Sequence, residues 1–309
     1  MRHQDSADVS AGQQGGRTGK QRLDCSVCNN HVDTTDRLAF VTFPCHVRAF
    51  LGESFKVWRC PNCRTIHCLD VVDLEHYYAK YPFAGMELTW PFRIFYRNLT
   101  RRLTKHGFTK DQFMLDYGCG NGLFIKYLQG CGFANCHGYD PYGGNDNDAT
   151  LQQGPFDDIL LQDVLEHVED PSGLLHEMNN MLAPGGHIFV GTPNAESLDL
   201  TRPEEFLNEV HVPYHLHIYS RKVVEDMGRR QGWTPVGFFD RPYHDRPWFG
   251  LNTRAAKVYQ QLVGGTMDAV LEPVQPWKAM TSPRFVFFAA VGYWLSNKSD
   301  MTIVFQKSQ

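Results

Sequence analysis

The chain has 309 residues, of which 42% are hydrophobic and 13% aromatic, enough for one domain with a sizeable core and an appended module. Its formal net charge of -4 argues against a surface generally adapted to nucleic acid, although it allows a local basic patch. The longest apolar run, at 285–295, is about half the length of a membrane span and favours a buried helix.

The first 22 residues are polar, rich in Gly, Gln and Ser, and lack the apolar core of a signal peptide. They predict a disordered tail over 1–22. Nine cysteines without a secretion signal indicate a reducing compartment, where paired cysteines hold metal more often than they form disulfides. We therefore predict a cytoplasmic protein.

Two Cys-x-x-Cys pairs follow, and the runs RLAFVTF and SFKVWRC between them suit the strands of a zinc ribbon. The four cysteines predict a structural zinc site within a module over 23–70, because four thiolates leave no open coordination position. They are Cys25, Cys28, Cys60 and Cys63. Alternatively the four are unrelated, or one ligand is replaced by another candidate: His31, His46, His67, Cys45 or Cys68.

The stretch WPFRIFYRNLTRRLTKHGF predicts a helix with one apolar stripe, since its Phe and Leu residues recur at three- and four-residue spacing. Arg93, Arg97 and Arg101 repeat along a neighbouring face. That face is either a solvated basic surface or a docking strip for an acidic substrate.

The stretch MLDYGCGNGLF passes from an apolar strand into a helix through Asp116, Gly118, Gly120 and Gly122. Glycine lets a ligand approach the backbone at the helix N-terminus, and the pattern differs from both G-x-G-x-x-G and the P-loop. The leading aspartate would repel a phosphate but suits a ligand with an ammonium group. Asp140 ends the next short strand, where an acidic residue grips ribose hydroxyls in Rossmann-like sheets.

This combination of motifs resembles the class I S-adenosylmethionine-dependent methyltransferases. Four later stretches resemble the family's remaining elements in the same order, so the similarity covers about residues 90 to 307. They lie at 156–171, 181–194, 215–239 and 299–307. The chain most resembles the branch of ubiquinone-biosynthesis-like, sugar and natural-product enzymes, whose members often carry a cysteine-pair module followed by a Tyr-Tyr segment, as in CPNCRTIHCLDVVDLEHYY.

The resemblance implies specific roles at the cofactor site. The loop 116–122 would surround the methionine part of S-adenosylmethionine, and Asp140 would bind the ribose. Gln162 and Asp163 would line the cleft of the adenosine and the methyl donor.

The same resemblance places His215 on the substrate side, where a general base assists if the acceptor is a hydroxyl or an activated carbon. His167 and Asp163 are the other predicted catalytic residues, while His217 shares the face of His215 only in an extended segment. Asp163, Glu166 and His167 also resemble the E-x-x-E-H motif of relatives in which a divalent ion assists. The alternative is that these residues only orient the helix.

One departure from the family pattern follows Asp140. Only 15 residues lie between Asp140 and Phe156, too few for the usual helix and third strand. We therefore expect a loop or one short strand there. Asp146 and Asp148 are candidates to contact the adenine, but turn-favouring aspartates more often only form a turn.

A long aromatic and proline-rich insertion at about 240–283, with a helix near 253–262, is a candidate lid or dimer element. Some of its side chains could contact a polar or anionic acceptor, and ordinary loop packing explains them equally well. They are Arg241, His244, Arg246 and Trp248.

The predicted fold is α/β: a Rossmann-like, mostly parallel sheet of the seven-stranded type over 71–309, shortened around its third strand, behind a small zinc ribbon. The predicted function is methyl transfer from S-adenosylmethionine to a small molecule, such as a sugar, glycolipid or secondary-metabolite intermediate, with oxygen favoured as acceptor atom. RNA methylation is a second hypothesis, which the acidic net charge weighs against. A non-catalytic zinc-ribbon scaffold is a third, and a homodimer is compatible with all three.

Overall fold

The computed structural model describes residues 16–35, 39–82, 86–142 and 148–309, which form three β-sheets and their flanking helices. The strands are β1 Arg17–Gln21, β2 Phe40–Pro44, β3 Ser54–Arg59, β4 Ile66–Cys68, β5 Asp70–Val72, β6 Met114–Tyr117, β7 Cys136–Tyr139, β8 Phe156–Gln162, β9 Leu182–Pro193, β10 His217–Ile218, β11 Trp233–Phe239 and β12 Asp300–Lys307. The helices are α1 Leu74–Tyr78, α2 Trp90–Lys105, α3 Leu123–Gly130, α4 Asp148–Leu151, α5 Pro171–Met181, α6 Leu207–Val210, α7 Arg221–Arg230, α8 Thr253–Leu262, α9 Pro276–Met280 and α10 Pro283–Val291.

The central sheet has the strand order β11-β12-β9-β8-β6-β7. β7, β6, β8 and β9 are parallel, and β12 runs antiparallel between β9 and β11. The parallel strands read as near-continuous apolar runs because helices cover both faces of the sheet. Apolar residues of α5 and α7 pack on one face, and those of α2 and α3 on the other. The predicted mostly parallel, Rossmann-like sheet is confirmed.

The sheet ends at β7, so its described part has six strands rather than seven. Between β7 and β8 the described residues contain only the four-residue helix α4. This agrees with the expectation that the third-strand unit is shortened, since a helix and a strand cannot fit in the available length. Asp146 lies outside the described residues.

The cysteine module contributes three strands to a second sheet, with the order β10-β4-β3-β2. β2 and β3 are the strands predicted between the cysteine pairs. β10 lies 150 residues further along the chain than β4, and its His217 lies opposite His67. The module and the methyltransferase-like region therefore share a sheet.

The predicted disordered tail is wrong over its last residues. Arg17–Gln21 forms β1, which pairs antiparallel with β5. The Thr18 hydroxyl also donates to the Val71 carbonyl at 2.6 Å. Polar side chains did not prevent this pairing, because one edge strand needs only backbone partners. β5 also crosses the predicted boundary between residues 70 and 71.

The insertion folds into a small helical unit of α8, α9 and α10, and α8 occupies the predicted 253–262. The prediction of a buried helix at 285–295 is only partly right. Phe285 and Ala289 are buried, but Phe287 and Trp294 are 57% and 68% exposed, because α10 packs on α8 along one face only. Among the described residues, no helix is both long and apolar enough to cross a bilayer.

A close approach of α7 to β12 yields a stability prediction. A Cβ added at Gly228 would lie 2.5 Å from Cε1 of the fully buried Phe305. We expect Gly228→Ala to lower the free energy of unfolding by about 1–3 kcal/mol in urea titrations, through overpacking. The control is Gly130→Ala, at a helical position with no atom within 4 Å of the added Cβ, which we expect to be neutral or slightly stabilising. Equal effects of the two substitutions would contradict this account of the contact.

Candidate active site and cysteine centre

The glycine loop between β6 and α3 adopts backbone conformations that other residues rarely take. Gly118, Gly120 and Gly122 have φ values of 83°, 55° and 74°. A Cβ at Gly118 would lie 2.3 Å from Cγ2 of Val164, so the loop also passes close to the turn after β8. These three glycines are therefore required by the path of the chain.

Two aspartates flank this loop at the carboxyl ends of β6 and β7. The Asp140 carboxylate accepts hydrogen bonds from the backbone N–H groups of Gly120 and Tyr142, both at 2.8 Å. Asp116 is 5% exposed. Burial, with a smaller effect from Asp140, raises the pKa of Asp116 to about 7. Carboxylates at the ends of parallel strands, beside a helix N-terminus, occupy the usual ligand-binding edge of an open α/β sheet.

The end of β8 brings Gln162 and Asp163 to the same edge. The Gln162 side-chain N–H donates to Asp163 Oδ1 at 3.0 Å, and Asp163 takes the left-handed φ of 57°. The cleft walls desolvate the Asp163 carboxyl and raise its pKa, although solvent still reaches the side chain. A strained, desolvated carboxyl is a common feature of functional sites.

Among the described residues, four carboxyl groups at this edge lack a lysine or arginine partner. They belong to Asp116, Asp163, Glu166 and Asp300. Within the described ranges, none of them has a lysine or arginine within 4.0 Å. Burial is the main cause that raises all four pKa values, that of Asp300 to about 7. The site is therefore adapted to a positively charged occupant.

Next to these carboxyls lies a cluster of histidine rings. The ring centroids of His167 and His215 are 4.6 Å apart, those of His211 and His215 are 5.1 Å apart, and those of His46 and His211 are 4.8 Å apart. Burial lowers the pKa of every member, that of His167 to about 4. The rings are thus neutral near pH 7.

The hydrogen bonds of His215 fix its tautomer. Its Nδ1 lies 2.8 Å from the carbonyl oxygen of Glu209, which can only accept, so Nδ1 carries the proton. Nε2 is left as the unprotonated ring nitrogen. His215 therefore presents a neutral ring whose free lone pair can accept a proton or bind a cation.

Glu166, His167 and His215 form one of the described groups that could hold a metal ion, since one ligand atom of each lies within 4.8 Å of the others. Glu166 is fully buried, and its Oε2 accepts from the Thr192 hydroxyl at 2.9 Å. Its Oε1 has no hydrogen-bond partner among the described residues. An unpaired buried carboxylate oxygen beside two neutral imidazoles fits a divalent cation.

The aromatic residues around this cluster were missed as site residues by the sequence reasoning. Tyr78 OH lies 2.8 Å from His167 Nδ1, and Tyr81 OH lies 2.9 Å from His211 Nε2. Tyr142 stacks on Tyr78 with ring centroids 4.8 Å apart. The available signal was the density of tyrosines in HYYAKY, immediately after the cysteine module.

Several other candidates lie away from this cleft. His217 faces the cysteine module, where its Nδ1 lies 2.9 Å from His67 Nδ1. Arg241 and Arg246 line a separate cavity. Trp248 is 58% exposed.

The four predicted zinc ligands do come together. The Sγ atoms of Cys25, Cys28, Cys60 and Cys63 all lie within 4.8 Å of one another, and no disulfide joins them. The Cys25–Cys63 and Cys28–Cys60 sulfur distances are 3.4 and 3.5 Å. Sulfurs about 2.3 Å from a tetrahedral zinc ion would be about 3.8 Å apart, so the residues present fit zinc.

The residues considered above as alternative zinc ligands make other contacts. His31 Nδ1 pairs with Asp24 at 2.8 Å. Cys45, Cys68 and the neighbouring strands belong to an apolar core. His67 contacts the cysteine cluster from outside, with its Nε2 3.2 Å from Cys25 Sγ. An N–H that donates to the sulfur of a ligand is a typical outer-shell contact of a metal site.

An open parallel sheet with a glycine loop and strand-end aspartates at one edge defines a Rossmann-like domain. Residues 90–237 match a family model described as a methyltransferase domain. These residues, just under half of the chain, therefore form a methyltransferase-like domain.

The chain is also similar to curated proteins named ubiquinone biosynthesis O-methyltransferase. That of Caulobacter vibrioides is 30% identical over 154 residues, which are 39% of this chain and 58% of the relative. That of Caulobacter sp. (strain K31) is 34% identical over 109 residues, 26% of this chain and 40% of the relative. The chain therefore spans about half the length of these relatives.

Solved structures show distant likeness. One is a complex of the Haloferax volcanii Trm112 methyltransferase activator with a methyltransferase, at 13% identity and a TM-score of 0.47, covering 77% of this chain and 98% of that one. Another, described as a sarcosine dimethylglycine methyltransferase from Galdieria sulphuraria, has 15% identity and a TM-score of 0.44, covering 76% of this chain and 99% of that one.

The cysteine cluster yields a metal-content prediction. We expect the purified protein to contain one zinc ion per chain, and Cys63→Ser to lose it. Because a structural zinc contributes several kcal/mol, the melting temperature should fall by about 5–10 °C in calorimetry. The control Cys131→Ser removes an exposed cysteine outside the cluster and should change neither quantity. A zinc-free native protein with the stability of the variant would exclude this role of the four cysteines.

Proposed function

We propose that this protein transfers a methyl group from S-adenosylmethionine to a small-molecule acceptor, with oxygen as the favoured acceptor atom. The observation that carries the proposal is the group of desolvated carboxyls beside the glycine loop, none of which has a cationic partner among the described residues. S-adenosylmethionine supplies a sulfonium and an ammonium group, which such a site can stabilise. The matches to ubiquinone O-methyltransferases support a small acceptor.

In this proposal the cofactor lies at the carboxyl ends of β6, β7 and β8. The backbone of Gly118, Gly120 and Gly122 surrounds its methionine part, and Asp116 pairs with the ammonium group. Asp140 accepts hydrogen bonds from the ribose hydroxyls, since its backbone contacts already hold its carboxylate in place. Gln162 and Asp163 line the space between the adenosine and the reacting methyl group.

Methyl transfer is an in-line displacement, so the chain contributes mainly by positioning the acceptor and excluding water. We propose that His215 Nε2 accepts the proton of the acceptor hydroxyl. The Glu209 carbonyl holds the ring in the required tautomer. His167 and Asp163 border the same space and would orient the acceptor.

A second possibility for these side chains is a divalent cation held by Glu166, His167 and His215. It is favoured by the unpartnered Oε1 of Glu166. Such an ion would lower the pKa of a bound acceptor hydroxyl. The two possibilities differ in their dependence on added divalent cation in the zinc-loaded protein, because a general base acts without a second metal ion.

The pKa of Asp116 yields a prediction for cofactor binding. S-adenosylhomocysteine should bind with micromolar affinity at pH 8, and the affinity should fall up to about tenfold per pH unit below 7, as the carboxylate becomes protonated and loses its attraction for the ammonium group. Asp116→Asn should weaken binding by about 10–100-fold at pH 8 and flatten the pH dependence. Calorimetric titration measures both effects.

The matched control for this experiment is Asp111→Asn, which removes an exposed charge just before β6 and should leave binding and its pH dependence unchanged. Native affinity in Asp116→Asn would contradict the placement of the cofactor. Failure of the native, folded protein to bind would favour the non-catalytic scaffold.

The role of His215 yields a prediction for catalysis. With an acceptor found in a panel of phenols and sugars, His215→Ala should lower kcat by about 10²–10⁴-fold. Its affinity for S-adenosylhomocysteine should stay within about twofold, since the ring lies outside the glycine loop. Activity of the zinc-loaded enzyme should be the same with and without added Mg²⁺. A requirement for added Mg²⁺ would instead assign His215 to a metal site.

A further inference from the structure

A cavity of about 270 Å³ lies between the last turns of α2 and the end of β11, outside the proposed active site. Its walls are strongly basic. The charged residues that line it are Arg101, Arg102, Lys105, Arg241, Asp245 and Arg246.

The single carboxylate of this cavity is already neutralised. Asp245 is 2% exposed, and its Oδ2 pairs with Arg241 Nη1 at 2.5 Å. Its Oδ1 accepts from the Thr253 N–H at 3.0 Å. Four cations therefore remain uncompensated, since in the described structure none of them has a carboxylate within 4.0 Å. They are Arg101, Arg102, Lys105 and Arg246.

One of these cations, Arg102, is held in place, and a second, Arg246, is partly buried. Arg102 is 7% exposed and donates to the Thr302 hydroxyl at 2.9 Å and to the Arg241 carbonyl at 2.6 Å. Its guanidinium also lies 4.8 Å from the centroid of the Phe239 ring. The buried Nε of Arg246 has no hydrogen-bond partner among the described atoms. Burial lowers the pKa of both groups. Repulsion from Arg246 adds to the effect at Arg102, and repulsion from Arg101 adds to it at Arg246.

We propose that this cavity is a binding site for a phosphate or diphosphate group. A carboxylate would neutralise one of the four cations, whereas a phosphoryl group carries close to two negative charges and offers three acceptor oxygens. The planar guanidinium group of an arginine can donate two parallel hydrogen bonds to these oxygens. The chemistry is shared by two sources, a soluble phosphorylated metabolite and a phospholipid headgroup.

The position of the cavity connects it to the proposed active site. Its lining includes Arg241 and Arg246, at the two ends of a loop. The middle residue of this loop, Tyr243, packs against the core cluster that includes Leu123 and Phe124, the first residues after the glycine loop. The Tyr243 carbonyl accepts from Asn98 of α2 at 2.6 Å. A phosphate bound between α2 and this loop would therefore also hold the loop that borders the cofactor cleft.

The test is calorimetric titration of the full chain with inorganic pyrophosphate at low salt, in the native protein and in the double variant Arg101→Gln/Arg246→Gln. We expect saturable binding in the native protein and at least about tenfold weaker binding in the double variant, because charge-assisted hydrogen bonds are lost. The control Arg93→Gln removes the same charge from an exposed position on α2, outside the cavity, and should have little effect. S-adenosylhomocysteine binding, measured on the same samples, should not change in any variant.

Sedimentation with phosphatidylcholine vesicles, with and without phosphatidylglycerol, distinguishes the two sources. Binding of pyrophosphate without binding of vesicles indicates a soluble ligand, and vesicle binding that requires phosphatidylglycerol, Arg101 and Arg246 indicates a headgroup. The proposal is overturned if neither probe binds, or if Arg93→Gln weakens binding as much as the double variant. It is also overturned if only single-stranded RNA binds, with an affinity that grows with its length.

Discussion

The proposed acceptor side of the molecule depends on one short antiparallel pairing, that of β4 with β10. Cys68 N–H donates to the Leu216 carbonyl at 3.0 Å, and His217 Nδ1 lies 2.9 Å from His67 Nδ1. The other nitrogen of His67 contacts Cys25 of the proposed zinc centre. Because His215 lies two residues before His217, its position is tied to the cysteine module. We infer that the module is part of the active-site framework, although it offers no open coordination position of its own.

Charges of opposite sign lie in two separate places around the cleft. In the part of the chain that the structure describes, carboxyls without cationic partners gather where a sulfonium cofactor would lie, and arginines without carboxylate partners gather on the far side of the 241–246 loop. Both arrangements cost stability in the free protein, since desolvated like charges repel one another. Such costs persist in proteins where a ligand offsets them. The opposite signs of the two sites indicate two different ligands, separated by one loop.

The sequence was sufficient for the parts of the structure that depend on local patterns. The spacing of the glycines predicts the loop, because few other residues adopt its backbone conformations. The apolar runs predict the strands, and the two cysteine pairs predict a four-ligand metal site. It was insufficient where distant segments meet. Nothing local in HLHIYS indicates that His217 would pair with His67, 150 residues away. Tyr78 and His46 join the histidine cluster for the same reason, through tertiary contacts. β1 lies in the predicted disordered tail and pairs with the edge of β5. Composition alone does not predict a strand that forms because another strand offers it backbone partners.

The most direct test of this framework is amide hydrogen exchange with and without zinc. After chelation, residues 215–219 should lose most of their protection, because β10 would lose its partner strand. The glycine loop and β6, at 114–122, should keep theirs, since they rest on the central sheet. Equal protection of 215–219 in both states would contradict the claim that the cysteine module holds the acceptor-side histidine. Loss of protection in both 215–219 and 114–122 would contradict the claim that the glycine loop is held independently of the cysteine module.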